Sequence, residues 1–170
     1  MKQTIKGKVI KFGHNVNTDI IIPHKYLSSI DPQELAKHVF EVYGADYPEK
    51  MTEFDVILAG DNFGCGSARE QAAAAIQGAG IQAVVARSFA RTFFRNAINS
   101  GLPIIECPAI YEELAEGDVM EIDFDRGQIM AKGKSYAFPP LPPSVQEILS
   151  VGGLVPYLKK KFRSEGAAGK

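Results

Sequence analysis

The sequence predicts a single α/β domain with a parallel βαβ core and an antiparallel β-element after it. Up to about residue 106, short apolar segments alternate with helical segments, and strands in such βαβ units pair in parallel. Beyond Gly117, short alternating segments are joined by turns such as Asp125-Arg126-Gly127, which is typical of antiparallel strands. With 170 residues and 45% hydrophobic content, we expect one domain over 1–163 and a disordered tail over 164–170.

The first half of the chain contains the segments from which the parallel core is predicted. Residues 5–12 alternate between apolar and polar side chains, which indicates a half-buried strand. Asp31, with proline at the next position, predicts a helix over about 32–40. Residues 54–59 form an apolar run typical of a buried strand, followed by a glycine-rich loop and an alanine-rich helix to about Gln77.

The second half repeats this unit and then changes pattern. A short buried strand over 83–86, a helix over 89–100 that ends at Gly101, and a strand over 102–106 complete the parallel core. The antiparallel element follows with strands over 119–124, 128–132 and 135–138. Two short helices, over 144–149 and 154–161, are expected near the end of the chain.

Charge and composition exclude several classes of function. Nineteen basic residues against 20 acidic ones give no overall field that would attract nucleic acid or an anionic membrane. No apolar run approaches the roughly 20 residues that cross a bilayer, so we expect a cytoplasmic protein. The two cysteines, Cys65 and Cys107, are too few to hold a zinc ion or an iron-sulfur cluster, and no metal site is expected in this chain.

The glycine loop Asn62-Phe63-Gly64-Cys65-Gly66-Ser67-Ala68-Arg69-Glu70 is the strongest candidate site. A loop leading from a strand into a helix directs backbone N–H groups at one point, where anions bind. It lacks the Lys-Ser/Thr pair of a phosphate-binding P-loop, and arginine stands where a dinucleotide fingerprint needs glycine. Because a guanidinium grips a carboxylate through two parallel bonds, Arg69 indicates a carboxylate ligand, and Ser67 lies where an alkoxide base is favoured.

Two other interpretations of basic and capping residues remain open at this point. Ser67-Ala68-Arg69-Glu70 also fits a capping box, with Ser67 as the helix N-cap and Arg69 exposed to solvent. That arrangement would set a cation against the helix dipole, which favours the functional interpretation. Arg87, Arg91 and Arg95 resemble a nucleic-acid stripe, but the overall charge favours carboxylate pairs or a subunit interface.

The glycine loop resembles that of the aconitase superfamily, and within it the small subunits of 3-isopropylmalate dehydratases. Two further blocks are similar to the same family and occur in the expected order: residues 17–23, reading Asn-Thr-Asp-Ile-Ile-Ile-Pro, and residues 87–103, from Arg87-Ser88-Phe89 to Gly101-Leu102-Pro103. Together the blocks span roughly residues 5–107. The resemblance implies a swivelling β/β/α domain of the aconitase C-terminal-domain type.

The resemblance also implies that the chain is active only with a large subunit, in a heterodimer or heterotetramer. That subunit would carry a [4Fe-4S] cluster, and the pair would interconvert 2-isopropylmalate and 3-isopropylmalate by dehydration and rehydration in leucine biosynthesis. Ser67 occupies the position of the family's proton-removing serine, Arg69 that of the arginine that binds a substrate carboxylate, and Asp19 that of a supporting acid. The remaining expected substrate contacts are Thr18, Ser28, Ser29, Gly66 and Ala68.

Two positions in the sequence leave undecided which di- or tricarboxylate is the substrate. Many relatives have a second serine where this chain has Ala68. After Tyr26-Leu27, an arginine would favour a longer tricarboxylate, but this chain has Ser28-Ser29 there. A homoaconitase or a citraconate/methylmalate-type hydratase is therefore the alternative. A freestanding anion-binding module is an alternative from a different class.

Overall fold

The computed structural model describes residues 3–167, with side chains to residue 163, and confirms the α/β class. Within this part of the chain seven strands form one mixed sheet. The strands are β1 (Thr4–Lys11), β2 (Val56–Ala59), β3 (Ala83–Ala86), β4 (Ile104–Glu106), β5 (Val119–Asp123), β6 (Gln128–Ala131) and β7 (Lys134–Ala137).

The first strand, β1, lies at the centre of the sheet and joins its two parts. The strand order is β4-β3-β2-β1-β5-β6-β7. On one side β1 pairs in parallel with β2, with Val9 opposite Val56, and β2, β3 and β4 continue the parallel pairing. On the other side β1 pairs antiparallel with β5, with Ile5 opposite Ile122, and β5, β6 and β7 form the antiparallel element predicted from the sequence.

Seven α-helices and three short 3₁₀ segments lie between and after these strands in the described residues. The α-helices are α1 (Thr18–Ile21), α2 (Pro32–Ala36), α3 (Tyr47–Met51), α4 (Glu70–Gly78), α5 (Arg91–Ser100), α6 (Pro143–Ser150) and α7 (Leu154–Ala167). The 3₁₀ segments are His24–Tyr26, Glu41–Tyr43 and Pro108–Ile110. None of these helices is long and apolar enough to cross a membrane, within the part of the chain that the structure describes.

Two hydrophobic cores cover the two faces of the sheet. One core packs α2, α4 and α5 against side chains such as Ile10, Ile57 and Val84. The other core contains Val9, Leu58 and Val85 from the opposite face together with residues of β5 and β6, so the antiparallel part curls over the parallel part. All four residues of β2 and of β3 are buried, which agrees with their continuous apolar runs.

The observed elements differ from the predicted ones mainly at their ends. Helix α2 ends at Ala36 rather than near residue 40, because Phe40 adopts φ +55° and its N–H bonds to the carbonyl of Ile21 instead of continuing the helix. Helix α7 continues to Ala167 rather than ending near residue 161. The expected tail over 164–170 therefore lies partly in α7 and partly outside the described residues, and its disorder stays a prediction.

Candidate active site

The candidate site lies where β1 and β2 end, at the carboxyl edge of the parallel strands. The segment after β1 and the glycine loop after β2 run side by side, with Asn17 and Cys65 paired in a parallel bridge. Gly64 donates its N–H to the carbonyl of Val16 at 2.8 Å, and Thr18 donates its N–H to that of Cys65 at 2.9 Å. These bonds join two sequence blocks that are almost 50 residues apart, at the edge where open α/β sheets bind ligands.

Two glycines give the loop its shape. Gly64 has φ +78° and Gly66 has φ +93°, a left-handed conformation that disfavours a side chain. A Cβ at Gly64 would lie 2.1 Å from Cγ of the buried Phe93 on α5, so this position needs both the conformation and the small size of glycine. Gly66 has more space around it, since a Cβ there would meet its nearest neighbours at 3.5 Å, and the two residues that follow it are exposed.

The structure excludes the capping-box interpretation of Ser67. Helix α4 begins at Glu70 with Arg69 as its N-cap residue, and no side chain caps it. Ser67 instead lies exposed on the loop before the helix, and its hydroxyl has no hydrogen-bond partner among the described residues. Its carbonyl accepts a 3.0 Å hydrogen bond from the hydroxyl of Thr18, so the backbone of Ser67 is held by a bond that leaves its side chain unengaged.

Thr18 holds the backbone of the glycine loop in place. Its side chain is buried, with 1% of the residue exposed, and it begins the short helix α1. Asn17 caps that helix, because its side-chain oxygen accepts from the N–H of Ile20 at 2.9 Å. This geometry favours a positioning role for Thr18 over the direct substrate contact expected from the sequence.

Unpaired backbone donors surround Ser67. The N–H groups of Gly66, Ser67, Ala68 and Arg69 have no acceptor within the described residues, and the N-terminus of α4 follows directly. Adjacent free N–H groups at a helix N-terminus favour an anion. The loop therefore presents an exposed hydroxyl among donors that stabilise negative charge.

Arg69 and Asp19 form an ion pair across the two segments. The Nη1 of Arg69 donates to the Oδ1 of Asp19, and it lies 3.5 Å from the carbonyl of Ile22. The Arg69 side chain is only 11% exposed, whereas that of Asp19 is 60% exposed. Because a guanidinium has five N–H donors and both of these contacts use Nη1, the Nε and Nη2 of Arg69 remain available to a carboxylate.

The segment that carries Ser28 and Ser29 is tethered to the same site. Gln71, in the first turn of α4, donates its side-chain amide to the carbonyl of Leu27 at 3.3 Å. The hydroxyl of Ser29 accepts from the N–H of Asp31 at 3.2 Å, and Ser28 is exposed. The tether holds this segment near the helix that follows Ser67 and Arg69, which is consistent with its expected contact with substrate.

Glu41 anchors the same segment from the other side, and sequence reasoning did not single it out. One oxygen of Glu41 accepts from the hydroxyl of Tyr26 at 3.1 Å and lies 2.9 Å from Nδ1 of His38, while the other lies 3.3 Å from Nζ of Lys25. The rings of Tyr26 and His38 stack at 3.6 Å. Burial raises the pKa of Glu41, but the bonds from Tyr26, His38 and Lys25 outweigh burial and hold this pKa below its usual range.

The three arginines of the 87–103 block have different surroundings. Arg87 forms a carboxylate pair with Asp61, whose two oxygens lie 3.2 and 3.3 Å from its Nε. Arg91 and Arg95 are exposed and make no ion pair with any described residue. Of the two uses expected for these arginines, a carboxylate pair thus fits Arg87 alone.

The donor set of this chain does not fit an iron-sulfur cluster. Cys65 lies on the glycine loop, whereas Cys107 is buried after β4, where burial raises the pKa of its thiol. Within the described residues no group of three or more His, Cys, Asp or Glu side chains could hold a metal ion. A cluster needs three or four thiolates, so its ligands would have to come from another chain.

Comparison with known proteins defines the class first. The aconitase C-terminal domain family model matches residues 3–109, and the chain belongs to this family. Over nearly its whole length, the chain is similar to proteins of one kind within that class. It is 54% identical to the 3-isopropylmalate dehydratase small subunit of Thermodesulfovibrio yellowstonii over 163 residues, covering 95% of this chain and 97% of the relative.

Two comparisons with proteins of Methanocaldococcus jannaschii agree with this grouping. The isopropylmalate/citramalate isomerase small subunit of Methanocaldococcus jannaschii is 50% identical over 164 residues, covering 95% of this chain and 98% of the relative. The crystal structure of 3-isopropylmalate dehydratase (leuD) from the same organism superposes with a TM-score of 0.90 at 48% identity, covering 98% and 99% of the two chains. The β/β/α fold expected from the resemblance is confirmed.

Proposed function

We propose that this chain is the small subunit of a 3-isopropylmalate dehydratase, which interconverts 2-isopropylmalate and 3-isopropylmalate by dehydration and rehydration as a step of leucine biosynthesis. The observation that carries the proposal is that Ser67 and Arg69 lie together on the glycine loop before α4. The chain is also similar over nearly its full length to small subunits of this enzyme. Its cytoplasmic location stays a prediction.

Ser67 acts as the base in this proposal. Its alkoxide removes the proton from the carbon next to the one that bears the hydroxyl group. The electron pair of that C–H bond forms the carbon–carbon double bond, and the hydroxyl group leaves and is protonated to water. In rehydration, water adds its oxygen to one carbon of the double bond and the Ser67 hydroxyl returns its proton to the other. The free N–H groups of Gly66 and Ala68 stabilise the anionic oxygen. The hydrogen bond from Thr18 to the Ser67 carbonyl keeps the loop in place while the side chain reacts.

Arg69 binds a substrate carboxylate through Nε and Nη2, while its Nη1 stays paired with Asp19. Asp19 thereby fixes the orientation of the guanidinium. The exposed second oxygen of Asp19 is free to contact a group on the opposing subunit. In this arrangement Asp19 supports catalysis without touching the substrate.

The large subunit completes the enzyme in this proposal and contributes the [4Fe-4S] cluster. The absence of a cluster-ligand set among the described residues and the small-subunit names of the relatives support this division. Gly66, Ser67 and Ala68 are exposed on the isolated chain, which suits half of an active site covered by a partner.

A second candidate is a methylmalate-type activity on the same site. The Methanocaldococcus jannaschii relative carries citramalate as well as isopropylmalate in its name. Ser28 and Ser29 offer small hydroxyl groups rather than an apolar surface for an isopropyl group. A homoaconitase is less favoured because no arginine occupies this segment, and the freestanding anion-binding module is less favoured because the similar proteins are subunits.

The test is reconstitution with the cluster-loaded large subunit of the same organism. The mixture is assayed with 2-isopropylmalate, citramalate and homocitrate as separate substrates. We expect the highest kcat/KM for 2-isopropylmalate and no turnover by either subunit alone. A higher kcat/KM for citramalate would replace the first candidate by the second, and turnover of none of the three would overturn both.

A further inference from the structure

The cleft at the N-terminus of α5 carries a charge pattern that the proposed chemistry does not use. Phe89, Arg91, Phe94, Arg95 and Glu106 line this cleft, which has a volume of about 360 Å³. Arg91 and Arg95 are one helical turn apart and therefore lie on one face of α5. Phe89 and Phe94 are half-buried, so the cleft combines two guanidinium groups with apolar walls.

The side chains of Arg91 and Arg95 have no carboxylate partner among the described residues. Neither side chain forms an ion pair or a hydrogen bond with another described residue, although nine other lysine and arginine side chains form ion pairs with a carboxylate. The nearby Glu106 is engaged differently, because its Oε1 accepts from the N–H of Phe89 at 3.2 Å. Arg91 also opposes the dipole of α5, whose first turn contains no acidic residue.

The cleft is continuous with the candidate active site. Phe63 of the glycine loop and Phe89 form a parallel bridge, and their rings meet edge to face at 6.2 Å. The N–H of Ala90 donates to the carbonyl of Phe63 at 3.0 Å. The ends of β3 and β4 thus continue the edge that the ends of β1 and β2 begin.

A protein interface of ordinary size that covers the glycine loop would also cover the cleft at the N-terminus of α5. Neighbouring strands are about 4.8 Å apart, so the cleft lies roughly two strand spacings along the edge from the glycine loop. A stable interface covers about 800 Å² on each partner, a patch roughly 30 Å across. A large subunit that closes over Ser67 would therefore also cover Arg91 and Arg95. Two desolvated guanidinium groups need carboxylates opposite them.

We propose that the cleft of Phe89, Arg91, Phe94, Arg95 and Glu106 is the docking site for an acidic segment of the large subunit. The segment places carboxylates against Arg91 and Arg95 and packs its apolar atoms on Phe89 and Phe94. The proposal rests on the proposed function for the existence of the large subunit. It assigns these arginines to assembly and gives them no part in the chemistry.

The experiment measures subunit affinity separately from turnover. The double variant Arg91→Glu/Arg95→Glu, the neutral variant Arg91→Ala/Arg95→Ala and the control Arg126→Glu are titrated into the cluster-loaded large subunit. Arg126 is a matched control because it is an exposed arginine on the turn between β5 and β6, outside the cleft. Calorimetry gives Kd, and activity at saturating small subunit gives kcat.

We expect the charge-reversed variant to raise Kd by at least about tenfold and the neutral variant by less, because like charges face each other in the first case only. Arg126→Glu should leave Kd unchanged, and kcat at saturation should be that of the wild type for all three variants. Added salt should weaken binding of the wild type more than that of the neutral variant. Thermal unfolding of each free small-subunit variant checks that the variant is folded. The neutral variant also removes the unfavourable interaction between Arg91 and the dipole of α5.

Three results would overturn the proposal in distinguishable ways. An unchanged Kd for both cleft variants, with the wild type active, would overturn the docking site and leave the proposed function intact. A lower kcat at saturation with unchanged Kd would assign the arginines to the substrate instead. If the wild type neither binds the large subunit nor turns over with it, the proposed function fails, and the docking site fails with it.

Discussion

Replacing Arg69 by lysine separates its two tasks in the proposed site. In the wild type, Nη1 pairs with Asp19 while Nε and Nη2 are free for a substrate carboxylate. Lysine has one nitrogen, which can keep the pair with Asp19 but cannot also reproduce the two-bond grip. Binding of substrate should therefore weaken, while folding should be nearly unaffected.

The size of the effect follows from the bonds removed. A hydrogen bond to a charged group contributes about 1.5–3 kcal/mol, and about 1.4 kcal/mol corresponds to tenfold in an equilibrium constant. Loss of one arm of the grip should raise KM for 2-isopropylmalate by about 10- to 150-fold. Because the interaction is present in both the bound substrate and the transition state, kcat should change much less than KM.

Steady-state kinetics of the reconstituted enzyme measures this change, with the unsaturated intermediate followed by its ultraviolet absorbance. Arg126→Lys is the matched control, since Arg126 is 79% exposed and its one ion pair among the described residues is with Asp123. Its KM should equal that of the wild type. An unchanged KM for Arg69→Lys would remove Arg69 from the substrate and leave it only its pair with Asp19.

Two further predictions concern the framework of the site and are measured by urea unfolding of the small subunit. Gly64→Ala should lower the free energy of unfolding by about 2–5 kcal/mol, because a left-handed φ and a clash with Phe93 act together. Gly80→Ala, with a similar φ but open space around it, should cost only about 1–2 kcal/mol; equal losses would refute the packing argument. Glu41→Gln should cost about 1–2 kcal/mol at pH 7, since its charge accepts bonds from three partners. Because the folded pKa of Glu41 is lowered, this difference is fully present above a glutamate's ordinary pKa of about 4.3 and shrinks as the pH falls below it; a difference independent of pH would contradict the assignment.

Local patterns predict most of the elements of this fold, but they do not predict how the elements are arranged. The apolar runs that became β2 and β3 and the stop at Gly101 are local signals, and the structure has them where expected. The central position of β1 depends on pairing with Val56 and with Ile122, which are far away in sequence. No periodicity in residues 5–12 contains that information.

The candidate site also has one part that the sequence predicts and another part that only the fold brings together. The glycine loop contains its own signal, because glycine spacing, Ser67 and Arg69 occur within a few residues. The pair between Arg69 and Asp19 joins residues 50 positions apart, and only the fold brings them together. The capping-box interpretation makes Ser67 the N-cap of α4, but the hydroxyl of Thr18 holds the Ser67 carbonyl, Arg69 is the N-cap residue and the helix begins at Glu70.

The turnover of Ser67→Ala in the reconstituted enzyme tests the central claim most directly. Ser135→Ala is its control, since Ser135 is also an exposed serine but lies on β7. Loss of a base should lower kcat by about 10²- to 10⁴-fold, while Kd for the large subunit and the stability of the free chain stay unchanged because the Ser67 hydroxyl has no partner among the described residues. A kcat near that of the wild type would contradict the assignment of Ser67 as the base.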